Sequence, residues 1–297
     1  MEALSGTIVA VPVVNPIGFT RYTRGYADGA DLNRIMPGKK LGSASQHFAA
    51  ALISKLVRHF DFLLDLHTAS FGRANSLYVR ADMTDPVTHR LALLQAPQIV
   101  VHNSGPDGSL RGACAAMGKP CITVEIGDPQ VLDPALTGKA LQGVRNTLSF
   151  LKMAQLWPGG ELAGGGSGGA AAAGGEGGGS SSSSTAAAAA SAAAAAAAAA
   201  QLASVAPPVL VSRSFWVFST CGGILTVKPP VATWVKRGDV IAEVHSIWGA
   251  LVDTVLASHD GIVVGKSTNP VCQTGDRILH LGVCEKSFPE KADDGHQ

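Results

Sequence analysis

Aromatic residues are scarce in this chain, at 5 % of 297 residues, and charged residues make up only 15 %. The charges nearly cancel, to a net +1, so nothing electrostatic favours nucleic acid or an anionic membrane surface. No apolar run reaches the roughly 18 residues of a membrane-spanning helix. The alanine run at 192–200 is too short and too weakly hydrophobic to serve as one. The cysteines are five (Cys114, Cys121, Cys221, Cys272 and Cys284), an odd number without CxxC spacing. That argues against a disulfide scaffold and suits a reducing compartment. The first residues also lack the basic start and apolar core of a secretory signal, so a cytoplasmic location is expected.

What is abundant is Gly, Ser and Ala between residues 159 and 208, where Glu161 and Glu176 are the only charges. Such a tract cannot bury enough apolar surface to offset its ordering entropy, so a disordered linker is expected. Alanine's helix propensity predicts a local helix over 186–200, without fixed packing. The linker separates an N-terminal part, 1–158, from a β-rich part, 209–285, followed by a polar tail, 286–297.

The first part alternates strand and helix patterns. Strands are expected at 7–14, 60–66, 98–102 and 121–126, and helices at 43–58, 86–94, 110–117 and 134–154. The expectation is an α/β fold, a sheet with helices on both faces. The second part has short Val/Ile/Leu runs broken by Gly and Pro and reads as all-β. Val235-Lys236-Arg237-Gly238-Asp239-Val240-Ile241 is echoed by Val271-Cys272-Gln273-Thr274-Gly275-Asp276-Arg277-Ile278. Two such halves suit a small barrel or sandwich.

Polar groups collect where strands and helices end, as they would around a sheet-top cleft. Asp65-Leu66-His67-Thr68-Ala69 follows an apolar strand and places a histidine two residues after an aspartate. Asp31-Leu32-Asn33-Arg34 is preceded by Arg21, Arg24 and Asp28; Arg111 lies at a helix start, and Glu125 at the end of an apolar strand. Arginine forks match carboxylates, which points to an acidic substrate. A glutamate at an apolar strand end suits a general base. His47, His59, His89 and His102 lack motif support and read as surface or capping residues, and His296 as solvated.

Asn15-Pro16-x-Gly18-Phe19, Asp28-Gly29-x-Asp31-Leu32-Asn33-Arg34-x-x-Pro37-Gly38, Asp65-Leu66-His67-Thr68-Ala69 and Val124-Glu125-Ile126-Gly127 occur here in one order. Together they resemble the succinylglutamate desuccinylase/aspartoacylase family, related to zinc carboxypeptidases. The resemblance covers about residues 6–156, and more loosely 215–282. It implies a zinc-carboxypeptidase-like mixed sheet and a Zn2+-dependent hydrolase of small acidic N-acyl amino acid-type substrates, acting on amide or ester bonds. His67 matches a metal ligand, Glu125 the carboxylate that takes the water's proton, and Arg24 the carbonyl-polarising arginine, with Arg21 the alternative. Asn33, Arg34 and Arg111 match groups that hold a substrate carboxylate.

The family takes two further zinc ligands from a His-x-x-Glu segment ahead of the strand expected at 7–14. None of the nine histidines here has a glutamate three residues on. The expectation is a chain incomplete at its start, with an active relative carrying about one zinc. The alternatives are a protein that binds a carboxylate without catalysis and a carboxypeptidase acting on peptides. The C-terminal repeat is similar to biotinyl and lipoyl carriers, but the segment from Trp248 to Asp253 has no lysine to modify. A cap over the cleft is expected of it instead. Neither the acyl group nor the oligomeric state is legible.

Overall fold

A computed structural model of the chain describes residues 4–154 and 206–284. Most of the 159–208 tract, including its alanine run, and the 286–297 tail fall outside the described residues.

Capping residues set the helix starts. Asn15 caps the short α1 (Pro16–Thr20), Ser43 α2 (Ala44–Lys55), Asp85 α3 (Pro86–Leu94), Ser109 α4 (Leu110–Ala116) and Asp133 α5 (Pro134–Phe150). Each cap side chain accepts from a backbone N–H that has no partner inside its helix. The main sheet contains β1 (Leu63–His67), β3 (Leu77–Ala81), β4 (Ile99–His102), β5 (Cys121–Ile126) and β6 (Val209–Val211), with β2 (Arg73–Asn75) beside it. Its order is β1-β5-β3-β4-β6. All neighbours are parallel except β3 and β5, so the sheet is mixed.

Side-chain alternation along the strands divides the molecule. Leu77, Val79, Ala81, Ile122 and Val124 pack with Leu91 and Ala92 of α3 and with Leu136 of α5 on one face. On the other, Ala49 and Ile53 of α2 meet Leu110 and Cys114 of α4, with Leu63 and Cys121 from the sheet. Farther along that second face Tyr78, Ile99 and Val101 pack on Ile262 and Val264 of the C-terminal part. Helices thus lie on both faces, and β-structure completes the cover of one.

The C-terminal part holds β7 (Arg213–Phe218), β8 (Gly223–Val227), β9 (Trp234–Val235), β10 (Val240–His245), β11 (Leu251–Leu256), β12 (Gly261–Ser267), β13 (Val271–Cys272) and β14 (Arg277–Val283). They form two antiparallel sheets, β11-β10-β8-β13 and β2-β12-β14-β7, with β9 on β12. Ile241, Val244, Val263, Ile278, Leu279 and Leu281 fill the space between. The internal repeat is structural. Asp239 Oδ2 accepts from Lys236 N and Asp276 Oδ2 from Gln273 N, both at 2.8 Å. Gly238 and Gly275 between them sit at φ +92° and +86°, a region that favours glycine.

Two features differ from the sequence reading. No strand forms at 7–14, where Ile8 and Val9 are about half exposed. A β-branched run becomes a strand only against a partner edge, and among the described residues nothing pairs the outer side of β1. The parts 1–158 and 209–285 also exchange strands: β6 pairs with β4, and β2 pairs with β12.

Candidate active site

Strand register assembles the site. His67 on β1 pairs with Glu125 on β5, and Glu125 pairs with Tyr78 on β3. Adjacent strands lie about 4.8 Å apart, so these three side chains stand in one row on the second face, at the carboxyl ends of β1 and β5. Asn75 Nδ2 donates to Glu125 Oε2 at 3.3 Å. Tyr78 is fully buried, and its hydroxyl accepts from Arg80 Nη2 at 2.8 Å. Burial pushes the Tyr78 hydroxyl up to about 12, with the charge and hydrogen bond of Glu125 acting in the same direction and Arg80 opposing. Tyr78 therefore stays a neutral donor beside Glu125.

His67 Nε2 lies 2.9 Å from Asp65 Oδ2. Burial opposes protonation of His67, but the hydrogen bond and charge of Asp65, with the charge of Glu125, prevail and raise its pKa. A cleft of about 520 Å3 opens beside this row, lined by Phe19, Tyr22, Arg24, His67, Phe71 and Gln130 among others. Among the described residues, those that line it belong to the N-terminal part; the C-terminal part meets the row at its Tyr78 end, through His280, Ile262 and Val264.

The first two motifs explain how Arg24 gets there. Asn15 Oδ1 accepts from Gly18 N at 3.0 Å, and its Nδ2 donates to Gly25 O at 3.2 Å. A Cβ on Gly18 would lie 2.4 Å from Asn15 Nδ2, so glycine is needed for this closure. Arg24 Nε donates to Asp31 Oδ2 at 2.8 Å, and Asp31 Oδ1 accepts from Asn33 N at 2.9 Å. Asp31 is half-buried, which would raise its pKa, but Arg24 and the Asn33 N–H hold its carboxyl below the usual range. Arg24, not Arg21, lines the cleft.

Asn33 Oδ1 accepts from Leu110 N at 2.8 Å, docking its loop on the start of α4. Arg34 is exposed and donates through Nη1 to Asn33 O at 2.7 Å. Arg111 does not face the cleft as the sequence suggested. It is 1 % exposed and donates to Asn103 O, Asn103 Oδ1 and Asp107 Oδ2 at 2.8–3.0 Å. Burying a guanidinium requires several acceptors, and this loop supplies them, so Arg111 holds the 103–107 loop in place. His102 is also buried, with Nδ1 accepting from Met83 N at 3.1 Å.

Asn75, Tyr78 and Arg80 escaped the sequence reading. Tyr78 and Arg80 alternate with the apolar Leu77, Val79 and Ala81, which puts both on the face of Glu125; Asn75 carries no such signal and reaches Glu125 from β2.

His67 has the carboxylate partner that metal-binding histidines use for orientation. A catalytic zinc takes three protein ligands, and among the described residues no three His, Cys, Asp or Glu side chains come together as a ligand set. The described residues thus fit one ligand of such a site and not the whole of it.

The fold is shared with solved structures. One is the product-bound ectoine utilization protein EutE (DoeB) from Ruegeria pomeroyi, 18 % identical, with TM-score 0.70 over 92 % of this chain and 74 % of that one. Another is a succinylglutamate desuccinylase from a Silicibacter species, 19 % identical, with TM-score 0.68 over 93 % and 74 %. A succinylglutamate desuccinylase/aspartoacylase from Rhodobacter sphaeroides gives 18 % identity and TM-score 0.67 over 92 % and 74 %. No curated protein matches the chain. A sequence model of the succinylglutamate desuccinylase/aspartoacylase catalytic domain matches residues 2–151, about half of the chain. The chain belongs to that family, a family of hydrolases. Among the described residues no helix is long and apolar enough to cross a membrane.

Proposed function

We propose that this site hydrolyses the amide bond of small acidic N-acyl amino acids. The observation that carries the reading is the His67–Glu125–Tyr78 row opening beside a cleft that Arg24 lines, in a chain of this hydrolase family. Glu125 takes a proton from the attacking water and returns it to the leaving amine. The products are a free carboxylic acid and an amino acid. Asn75 and Tyr78 fix the Glu125 carboxylate for that task. Arg24 donates to the carbonyl oxygen as negative charge develops there, a contribution of about 3 kcal/mol for one such donor. Asp31 holds Arg24 in position. Asn33 and Arg34 take the substrate's carboxylate, and Arg111 acts indirectly, by holding the 103–107 loop that leads into α4, on whose start Asn33 docks.

Zn2+ is the metal we propose, with His67 as one ligand and Asp65 orienting it. The described residues do not supply the remaining ligands.

One experiment addresses the assignment: amine release from N-succinylglutamate, N-acetylaspartate and a short peptide, alongside the zinc content of the same preparation. Turnover of an N-acyl amino acid, a roughly thousandfold loss in Glu125→Gln and unchanged metal in that variant are expected. Retained activity in Glu125→Gln sinks its role. Turnover of the peptide alone means a carboxypeptidase, and ligand binding without turnover means a binding protein.

A further inference from the structure

Trp216 on β7 carries two arginines. Arg73 Cζ lies 4.9 Å from the indole centroid, and Arg277 Cζ lies 5.6 Å from it. Among the described residues neither guanidinium has a hydrogen-bonding or ion-pairing partner, although Arg73 is half-buried. The group adjoins the catalytic row. Arg73 shares a sheet face with Asn75, two residues on, which donates to Glu125. Trp216 stacks on His280, with centroids 4.9 Å apart and 13° between planes, and His280 meets the edge of Tyr78 at 6.2 Å. The path from Glu125 through Tyr78 and His280 to Trp216 is continuous.

We propose that Arg73 and Arg277, held on the Trp216 indole, form a subsite for a second carboxylate on the substrate. The identity of the molecule bearing that carboxylate rests on the hydrolase reading above; the capacity to bind a carboxylate does not. Cation–π contact orients a planar guanidinium while leaving its N–H edge free for bidentate pairing with a carboxylate. Two such edges beside one ring are costly without an anion. Burial first, and then repulsion from Arg277, Arg24 and Arg34, lowers the pKa of Arg73, with Asp276 compensating in part. His280 adds no charge, because burial and then Arg80, Arg277 and Arg73 keep it neutral. Arg34 is assigned to the first carboxylate, so an anion here is a second one. It can come from a dicarboxylic acyl group or from an acidic amino-acid side chain.

The test compares kcat/KM of the full chain on N-acetylalanine, which has one carboxylate, N-succinylalanine, which has the second on the acyl side, and N-acetylaspartate, which has it on the amino-acid side. Arg73→Gln and Arg277→Gln are each expected to lower the diacid-to-monoacid ratio about tenfold, mainly through KM. The diacid that responds identifies the source. Arg277→Lys should recover part of the ratio. Arg277 is exposed, so Arg277→Gln is expected to fold like the parent chain. A fall of less than fivefold in both glutamine variants overturns the subsite. Calorimetric binding of succinate separates the two readings. With no substrate turned over, succinate binding that weakens in Arg277→Gln keeps the subsite and rejects the hydrolase. Without turnover, succinate binding that is absent, or unchanged in Arg277→Gln, rejects both.

Discussion

His280 shows what a single buried titratable group costs. It is 2 % exposed, stacked on Trp216, with Nε2 against Ser214 Oγ at 2.9 Å. Burial, reinforced by Arg80, Arg277 and Arg73, drops its pKa well below the ordinary value of 6.5. Above that value neither folded nor unfolded chain binds the proton, and stability is indifferent to it. Below it the unfolded chain takes up a proton that the folded chain refuses, so stability falls by up to about 1.4 kcal/mol per pH unit until the folded pKa is reached. Urea unfolding at pH 7.5 and pH 5.5 should show a lower midpoint at the acidic value. That difference should shrink in His280→Gln, whatever the variant's stability at pH 7.5. An unchanged difference would show that other groups cause the acid sensitivity.

At the scale of elements, the loops that carry Arg24 and Arg34 are held by backbone approaches too close for a side chain. Gly108 sits at φ +73°, and a Cβ there would lie 2.4 Å from Arg34 O. Nearby, Met36 N donates to Gly108 O at 2.9 Å, and Asn33 caps Leu110. Gly108→Ala combines left-handed backbone strain with a backbone clash, a loss of about 2–3 kcal/mol. It should also displace Arg34 and reduce ligand binding. Gly29 is the control: φ is +83° with nothing within 4 Å, so Gly29→Ala should cost only about 1 kcal/mol. Denaturant titration of both variants decides this, and equal losses would remove the packing argument. The repeat in the C-terminal part obeys the same rule twice, with Gly238 and Gly275 turning the chain and an aspartate closing each turn.

For the whole molecule, the catalytic sheet and the C-terminal sheets are one structure. β6 extends the main sheet beyond β4, β2 extends the second C-terminal sheet beyond β12, and Ile262 and Val264 cover Tyr78, Ile99 and Val101. A fragment of residues 1–158 would expose those side chains and leave a sheet edge unpaired, a recipe for association. It should lack cooperative unfolding and should aggregate, as read by circular dichroism and light scattering. A monomeric fragment with a sharp transition would show that the parts fold independently.

Much of this was legible in the chain. Local rules set α3 at Pro86–Leu94 and β5 at Cys121–Ile126, since capping residues and apolar runs act within a few residues. The four motifs identified the family and nominated His67, Glu125, Arg24, Asn33 and Arg34, because their order along the chain is itself information. The Gly-Asp echo announced the paired turns. The rest depended on contacts between distant segments. The 7–14 stretch has strand composition but no partner edge among the described residues, and pairing is a property of two strands. Arg111 reads as a substrate ligand by motif, yet its burial against Asn103 and Asp107 is decided by how a loop folds back on α4. Asn75 and Tyr78 reach Glu125, and Arg73 and Arg277 meet on Trp216, only through register between strands drawn from both ends of the chain. Short-range preferences fix which elements exist. The face each presents, and to what, is set by long-range packing, which no local stretch of sequence encodes.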